Sequence, residues 1–157
     1  MTIKKHRIPD NSQDVFTILV RVTDPIYSQQ FEYEELIATL QDAKKRRYIV
    51  SCTPFIIYGI NKGDVVEVDR QNIVKKVVAD GGCYGYRIAY ARTSTHDDHI
   101  FNKKVLDDIR GKGYEVEEDS VLMSAVNAKN ADDAVRLEGI LRELISKGVL
   151  VGFDTIR

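Results

Sequence analysis

The chain has 157 residues, 43% hydrophobic and 30% charged, with 23 basic and 24 acidic side chains and a net charge of −1. That length suits one domain or two small ones, and the near-neutral balance argues against non-specific nucleic-acid binding, which rests on a strongly positive surface. Two cysteines, Cys52 and Cys83, are too few for a disulfide scaffold and lack metal-ligand spacing, and no apolar run approaches the ~20 residues that cross a bilayer.

Residues 1–13 read as a polar leader. The basic start Lys4-Lys5-His6-Arg7 is followed by no apolar signal core, so a cytoplasmic location and no membrane partner are expected. Val15 to Thr23 is rich in β-branched residues and predicts a strand, ended by Asp24-Pro25. The span from Glu34 to Val50 is two-valued. Leu36, Ile37, Leu40 and Ala43 have helical spacing, yet Glu35–Leu40 and Arg47–Cys52 read equally as two strands joined at Asp42–Lys45. Pro54 gives no N–H to a ladder and ends the preceding element. An apolar crossing, Phe55-Ile56-Ile57, leads to the turn Asn61-Lys62-Gly63-Asp64. Asp64 to Asp69 alternates as a half-buried strand, and Ile73 to Asp80 pairs with it. Gly81-Gly82 is the strongest breaker and the expected boundary of a small β-rich lobe over 14–80.

A different pattern follows. Tyr86 to Arg92 predicts a strand. Thr95 is an N-cap, with Asp98 in the capping-box position. Phe101, Val105 and Ile109, with Ile100 and Leu106 beside them, predict an amphipathic helix ended by Gly111 and Gly113. Tyr114–Glu117 and Val121–Asn127 predict two strands around a turn at Glu118–Ser120. Asn130 caps a second helix with the stripe Ala134, Leu137, Ile140, Leu141, Leu144 and Ile145. Lys147 and Gly148 close it before a last strand, Val149–Phe153. Strand, helix, strand, strand, helix, strand is the split βαβ order. The expected fold is therefore α+β: the β-rich lobe plus a ferredoxin-like βαββαβ lobe over 84–157.

Glu35-Leu36-Ile37-Ala38, then Arg47-Tyr48-Ile49-Val50, Pro54-Phe55, Gly59 and Gly63-Asp64-Val65-Val66-Glu67 together resemble a group of small bacterial two-part proteins. This is the domain-of-unknown-function family numbered 4265. The resemblance implies a β-rich first half and an α/β second half. It tips 34–50 to a hairpin of two strands and brings no catalytic residue with it. The longer basic turn Lys44-Lys45-Arg46-Arg47 departs from the commoner pattern.

The search for chemistry returns little. His96-Asp97-Asp98-His99 straddles a helix start and reads as capping and dipole complementation, with no metal site expected. Gly81-Gly82-Cys83-Tyr84-Gly85 precedes a strand, where a phosphate loop would lead into a helix. Cys83 has no histidine near it in sequence. No catalytic residue and no cofactor are therefore expected, and the chain reads as a non-enzyme. Tyr84, Tyr86 and Tyr90 share one strand face and suit either protein contact or packing between lobes. Glu115, Glu117, Glu118 and Asp119, with Asp107 and Asp108 on the preceding helix, concentrate negative charge that would steer a basic partner. The function expected first is a protein-binding inhibitor, such as an immunity protein covering a basic toxin. Its contact residues would be Tyr84, Tyr86, Tyr90 and those six carboxylates. The alternatives are a regulatory module binding a small ligand at a strand–helix junction, and an RNA-binding accessory protein using the turn at Lys44–Arg47, although nucleic acid is the less expected partner.

Overall fold

The computed structural model describes residues 1–8 and 14–156. These form ten strands in two sheets and two α-helices, a mixed α+β architecture that is mostly β. The chain divides into two units, Met1–Gly82 together with Ile156, and Cys83–Thr155.

The first unit is built on β1 (Ile3–Lys5), β2 (Phe16–Arg21), β3 (Tyr33–Asp42), β4 (Arg47–Val50), β5 (Val65–Val68) and β6 (Val74–Ala79). Their order is β1-β3-β4-β5-β6, with β2 also paired to β3. The stretch with two readings is a hairpin. β3 is bonded by β2 along Tyr33–Ala38 and by β4 along Ala38–Asp42, so its backbone groups are satisfied laterally and no helix forms. The register shifts between Leu40 and Asp42, beside the basic turn, where Arg46 takes a φ of 53°. The sheet curls enough for Leu19 N–H to donate to Asn72 C=O at 2.9 Å, which brings β2 back to the start of β6. Ile18, Leu36, Ala38, Val50 and Val66 are fully buried at its centre.

The leader expected over residues 1–13 is corrected in its described part. Ile3–Lys5 pairs in parallel with Tyr33–Glu35, and His6 is buried. Residues 9–13 lie outside the described ones. The polar side chains at the start find partners that their sequence neighbours do not reveal. Lys4 Nζ lies 5.6 Å from the Phe31 ring centre and 5.7 Å from that of Phe55. His6 stacks on Phe55 with ring centres 4.0 Å apart and planes 5° from parallel.

The loop that carries Phe55 has no ladder of its own, although Phe55, Ile56, Ile57 and Ile60 are buried. Its N–H groups need acceptors. Glu34, fully buried on β3, supplies them. Phe55 N donates to Oε1 at 2.6 Å, and Ile56 N and Ile57 N donate to Oε2 at 2.9 and 3.1 Å. His6 Nε2 donates to Oε1 at 2.7 Å. Asp64 repeats the device further on. Its carboxylate accepts from Asn61 N at 2.9 Å and from Gly81 N at 2.8 Å. Gly81 comes so close that a Cβ there would lie 2.3 Å from the Gly63 backbone. Gly81, one of the two glycines expected at a lobe boundary, is thus a packing contact inside the first unit. Ile156 belongs with this unit because its carbonyl accepts from Gly59 N at 2.8 Å.

The second unit runs β7 (Tyr84–Tyr90), α1 (His96–Gly111), β8 (Glu115–Glu118), β9 (Met123–Ala128), α2 (Ala131–Ser146) and β10 (Leu150–Thr155). The strand order is β10-β7-β9-β8, every neighbour antiparallel. Both helices pack on the face carrying Tyr86, Ile88, Tyr90, Val126 and Ala128. Their starts follow the sequence signals. Thr95 and Asp98 form a reciprocal capping box, and Asn130 accepts from Asp133 N at 2.9 Å. Leu137 and Leu141 are fully buried on α2, as their spacing predicts. On α1 the buried face is Asn102, Val105, Leu106 and Ile109, whereas Ile100 and Phe101 are 44% and 50% exposed. Asn102 takes the inward place because its Nδ2 donates to Arg92 C=O at 2.8 Å, closing off the loop before the helix. Among the described residues, no helix is long and apolar enough to cross a membrane.

Glu34→Gln replaces one acceptor oxygen by a donor that faces backbone N–H groups. It should lower stability by about 1–3 kcal/mol in urea unfolding. An unchanged midpoint would mean that the loop at 55–57 holds without the carboxylate.

Candidate functional site

A cleft of about 450 Å³ opens in the second unit between α1 and the turn joining β8 to β9. Helical spacing brings His99, Asn102, Lys103 and Leu106 to one side of α1, which forms the first wall. Glu118, Asp119, Ser120 and Val121 form the second. The turn is held by Ser120, whose N–H donates to Met123 C=O at 3.1 Å and whose Oγ accepts from Leu122 N at 3.2 Å. The floor is polar. Tyr90 on β7 and Ser124 on β9 are both buried, and their hydroxyl oxygens are 2.7 Å apart.

Burial pushes the Tyr90 phenol up to about 12, and the nearby Glu118 carboxylate pushes the same way, against the opposing effect of the Ser124 hydrogen bond. Tyr90 therefore stays neutral at any physiological pH. It offers a hydroxyl that can donate or accept, and it is not a base. On the α1 wall, His99 Nε2–H donates to Thr93 C=O at 2.9 Å, which fixes the ring against the preceding loop. Lys103 is exposed at the rim. The arrangement can hold a polar ligand between oppositely charged walls over a neutral hydroxyl floor.

A second hollow, about 350 Å³, lies on the other side of Asn102 and includes Arg92, Asp98 and Lys147. Two of its charged groups, Asp98 and Lys147, are already engaged. The Asp98 carboxylate accepts from Ser94 N and Thr95 N, bonds that hold its pKa below the usual carboxylate range. Lys147 pairs with Glu143 at 2.7 Å.

The residues expected to contact a partner are dispersed. Tyr84, Tyr86 and Tyr90 do share a face, but it is the face under the helices. Tyr86 is 2% exposed and donates to Glu138 Oε1 at 2.9 Å, with its ring edge-on to Phe153. Tyr90 is 6% exposed, and Tyr84 is half-buried against the same core. This corrects their reading as exposed anchors. The alternation that groups the tyrosines also places Ile88 among them, and the apolar stripes of α1 and α2 need that face. The six carboxylates divide three ways. Asp107 and Asp108 are exposed on α1, where Asp107 pairs with Arg110. Glu115 and Glu117 lie on the sheet face away from the helices, in a row where Arg87 stands two strands from Glu117. Glu118 and Asp119 line the cleft. Of the expected set, only Tyr90, Glu118 and Asp119 come together. In the first unit, the basic turn is partly engaged: Arg46 donates to Asp69 C=O and Asn72, and Arg47 faces Glu67 at 3.6 Å.

Asn102, Lys103 and Ser124 were missed as site residues, and His99 was weighed only as a metal ligand. A signal pointed to two of them. Ser124 is the polar residue of the inward set Ser124, Val126 and Ala128, and Asn102 interrupts an otherwise apolar helix stripe.

Tyr90 carries a pH prediction. Its phenol is raised from 10.0 to about 12, so the unfolded chain ionises first and stability falls as pH climbs through that window. An absorbance titration should show a tyrosine ionising near 12 that is absent in Tyr90→Phe and moves down in Glu118→Gln. A Tyr90 transition at 10 would remove the buried pair from the floor.

A family model described as "Domain of unknown function (DUF4265)" matches residues 34–151. No curated protein matches the sequence. A crystal structure of a hypothetical protein from Neisseria gonorrhoeae aligns with a TM-score of 0.60 at 13% identity, covering 93% of this chain and 95% of that one. That likeness is one of fold.

Proposed function

The chain belongs to the DUF4265 family, and we propose that it is a non-catalytic binding module whose second unit holds a small polar ligand in the cleft between α1 and the β8–β9 turn. The observation that carries this reading is the buried Tyr90–Ser124 hydroxyl pair, set between a wall bearing Lys103 and His99 and a wall bearing Glu118 and Asp119. The cleft volume lies within the range of small-molecule sites, about 300–1,000 Å³. We read the second unit as ferredoxin-like. The order β10-β7-β9-β8, with both helices on one face, supports that name, and the cleft then lies at a strand–helix junction. A neutral Tyr90 supports binding over acid–base chemistry.

Lys103→Trp tests the reading, because it fills the mouth from an exposed helix position that is indifferent to folding. Native mass spectrometry after incubation with a small-molecule extract of the source cells should show a retained component. That component should be lost from Lys103→Trp. Equal retention by both proteins, or none by either, would refute the cleft as a ligand site.

A second reading keeps the chain as a direct inhibitor of a basic protein, such as a toxin met by its immunity partner. It rests on the outer face of α1, where Ile100 and Phe101 are exposed beside Asp97, with Lys103 and Lys104 one turn on and Asp107 and Asp108 two turns on. An exposed apolar pair with carboxylates on the same helix suits contact with a protein that carries basic side chains. Phe101→Ala should then speed dissociation from the natural partner, and Asp108→Lys should slow association, most strongly at low salt. Association unaffected by salt would exclude this face.

A further inference from the structure

We infer that the ligand of the cleft is a small zwitterion, a molecule carrying one carboxylate and one ammonium group, of the amino-acid class. The inference rests on the ligand-binding reading above and narrows it. The charges of the two walls carry it. Lys103 stands on α1 and Glu118 on the facing end of β8. Among the described residues, neither side chain has an ion-pair partner within 4.0 Å, and they do not pair with each other. Elsewhere on the same helices, several charged side chains are paired locally, as in Arg110–Asp107, Arg136–Asp133 and Lys147–Glu143, and what sets Lys103 and Glu118 apart is that they line one cavity. The cleft thus sets the Lys103 ammonium on one wall against the Glu118 carboxylate, with the engaged Asp119 beside it, on the other.

Electrostatics then sorts the candidates. A phosphate or a dicarboxylate drawn to Lys103 would face the Glu118 carboxylate. A polyamine drawn to Glu118 would face Lys103. Either pairing gains one attraction and meets one repulsion at close range. A ligand with both charges satisfies both walls and adds no net charge to the cavity. The floor is compatible with such a ligand in either orientation, because the Tyr90 and Ser124 hydroxyls can accept from an ammonium or donate to a carboxylate. Leu106 and Val121 leave an apolar surface beside the polar track, where a short aliphatic spacer can lie. The spacing of the two charges sets the length of that spacer, so a series of amino acids of increasing length reads it out.

The test follows the backbone amide spectrum of the full chain by NMR during titration with glycine, 3-aminopropanoate, 4-aminobutanoate and L-lysine, and with butanoate, butylamine and inorganic phosphate. At least one amino acid should shift amides of residues 99–103 and 118–124. It should bind about tenfold or more tightly than the probes bearing one kind of charge. Lys103→Gln and Glu118→Gln should each weaken it by a similar factor. The double exchange Lys103→Glu with Glu118→Lys should recover binding, since the ligand can enter reversed, and a purely structural role for either residue would predict no such rescue. Butanoate, butylamine or phosphate binding as well as the amino acids would overturn the zwitterion. So would the absence of any amino-acid shift in protein that still retains an extract component in a Lys103→Trp-sensitive manner, and in that case the ligand reading survives. Failure of both experiments removes both.

Discussion

The Glu34 carboxylate holds the first unit together. An ionised group taken out of water is strongly destabilising unless donors surround it. Here four donors converge: the N–H groups of Phe55, Ile56 and Ile57, and the His6 imidazole. They come from two separate parts of the chain, the N-terminal segment and the loop after Pro54. The loop after Pro54 has no ladder, and β1 is three residues long. One side chain therefore positions the loop from below and the N-terminal strand from the side. Hydrogen bonds to a charged acceptor are stronger than neutral ones, and removing the acceptor would take a bond from three buried N–H groups at once.

The second unit obeys a different constraint. Its two helices need an apolar sheet face, and they obtain it from Tyr86, Ile88, Val126, Ala128 and Leu150. That demand moves the tyrosines inward and removes them from any outer surface. It is relaxed at one place, where Ser124 replaces a branched side chain on β9 and Asn102 replaces an apolar one on α1. Polar residues there keep the helix and the turn from closing over an oily contact. The cleft exists where the core is incompletely apolar, and the same hydroxyls that interrupt the packing supply its hydrogen-bonding floor.

Charge in this protein acts by placement and not by total. The acidic residues that look like one cluster along the chain leave by three faces. Alternation along β8 sends Glu117 and Glu118 to opposite sides of the sheet. Much of the basic start and basic turn is likewise absorbed, over aromatic rings, against Glu34 and around Asp69 and Glu67. The opposite charges that meet across one cavity, Lys103 and Glu118, are far less conspicuous in the sequence than those runs.

Periodicity, capping residues and breakers determined the elements. The strand–helix–strand–strand–helix–strand order of the second half, the Thr95 and Asn130 caps and the Gly148 exit are local properties, decided within a few residues by backbone geometry and hydrogen-bond reach. The same rules left 34–50 open, because Leu36, Ile37 and Leu40 satisfy a helix and a strand alike, and pairing with β2 and β4 made the choice. They also placed the tyrosines together without saying on which side of the sheet. Tertiary structure alone decided that face, the burial of Glu34 and the meeting of Tyr90, Ser124, Lys103 and Glu118. Each of these joins residues far apart in the chain, as Glu34 joins His6 and Phe55 across 28 and 21 positions. A local pattern carries no information about partners at such separations.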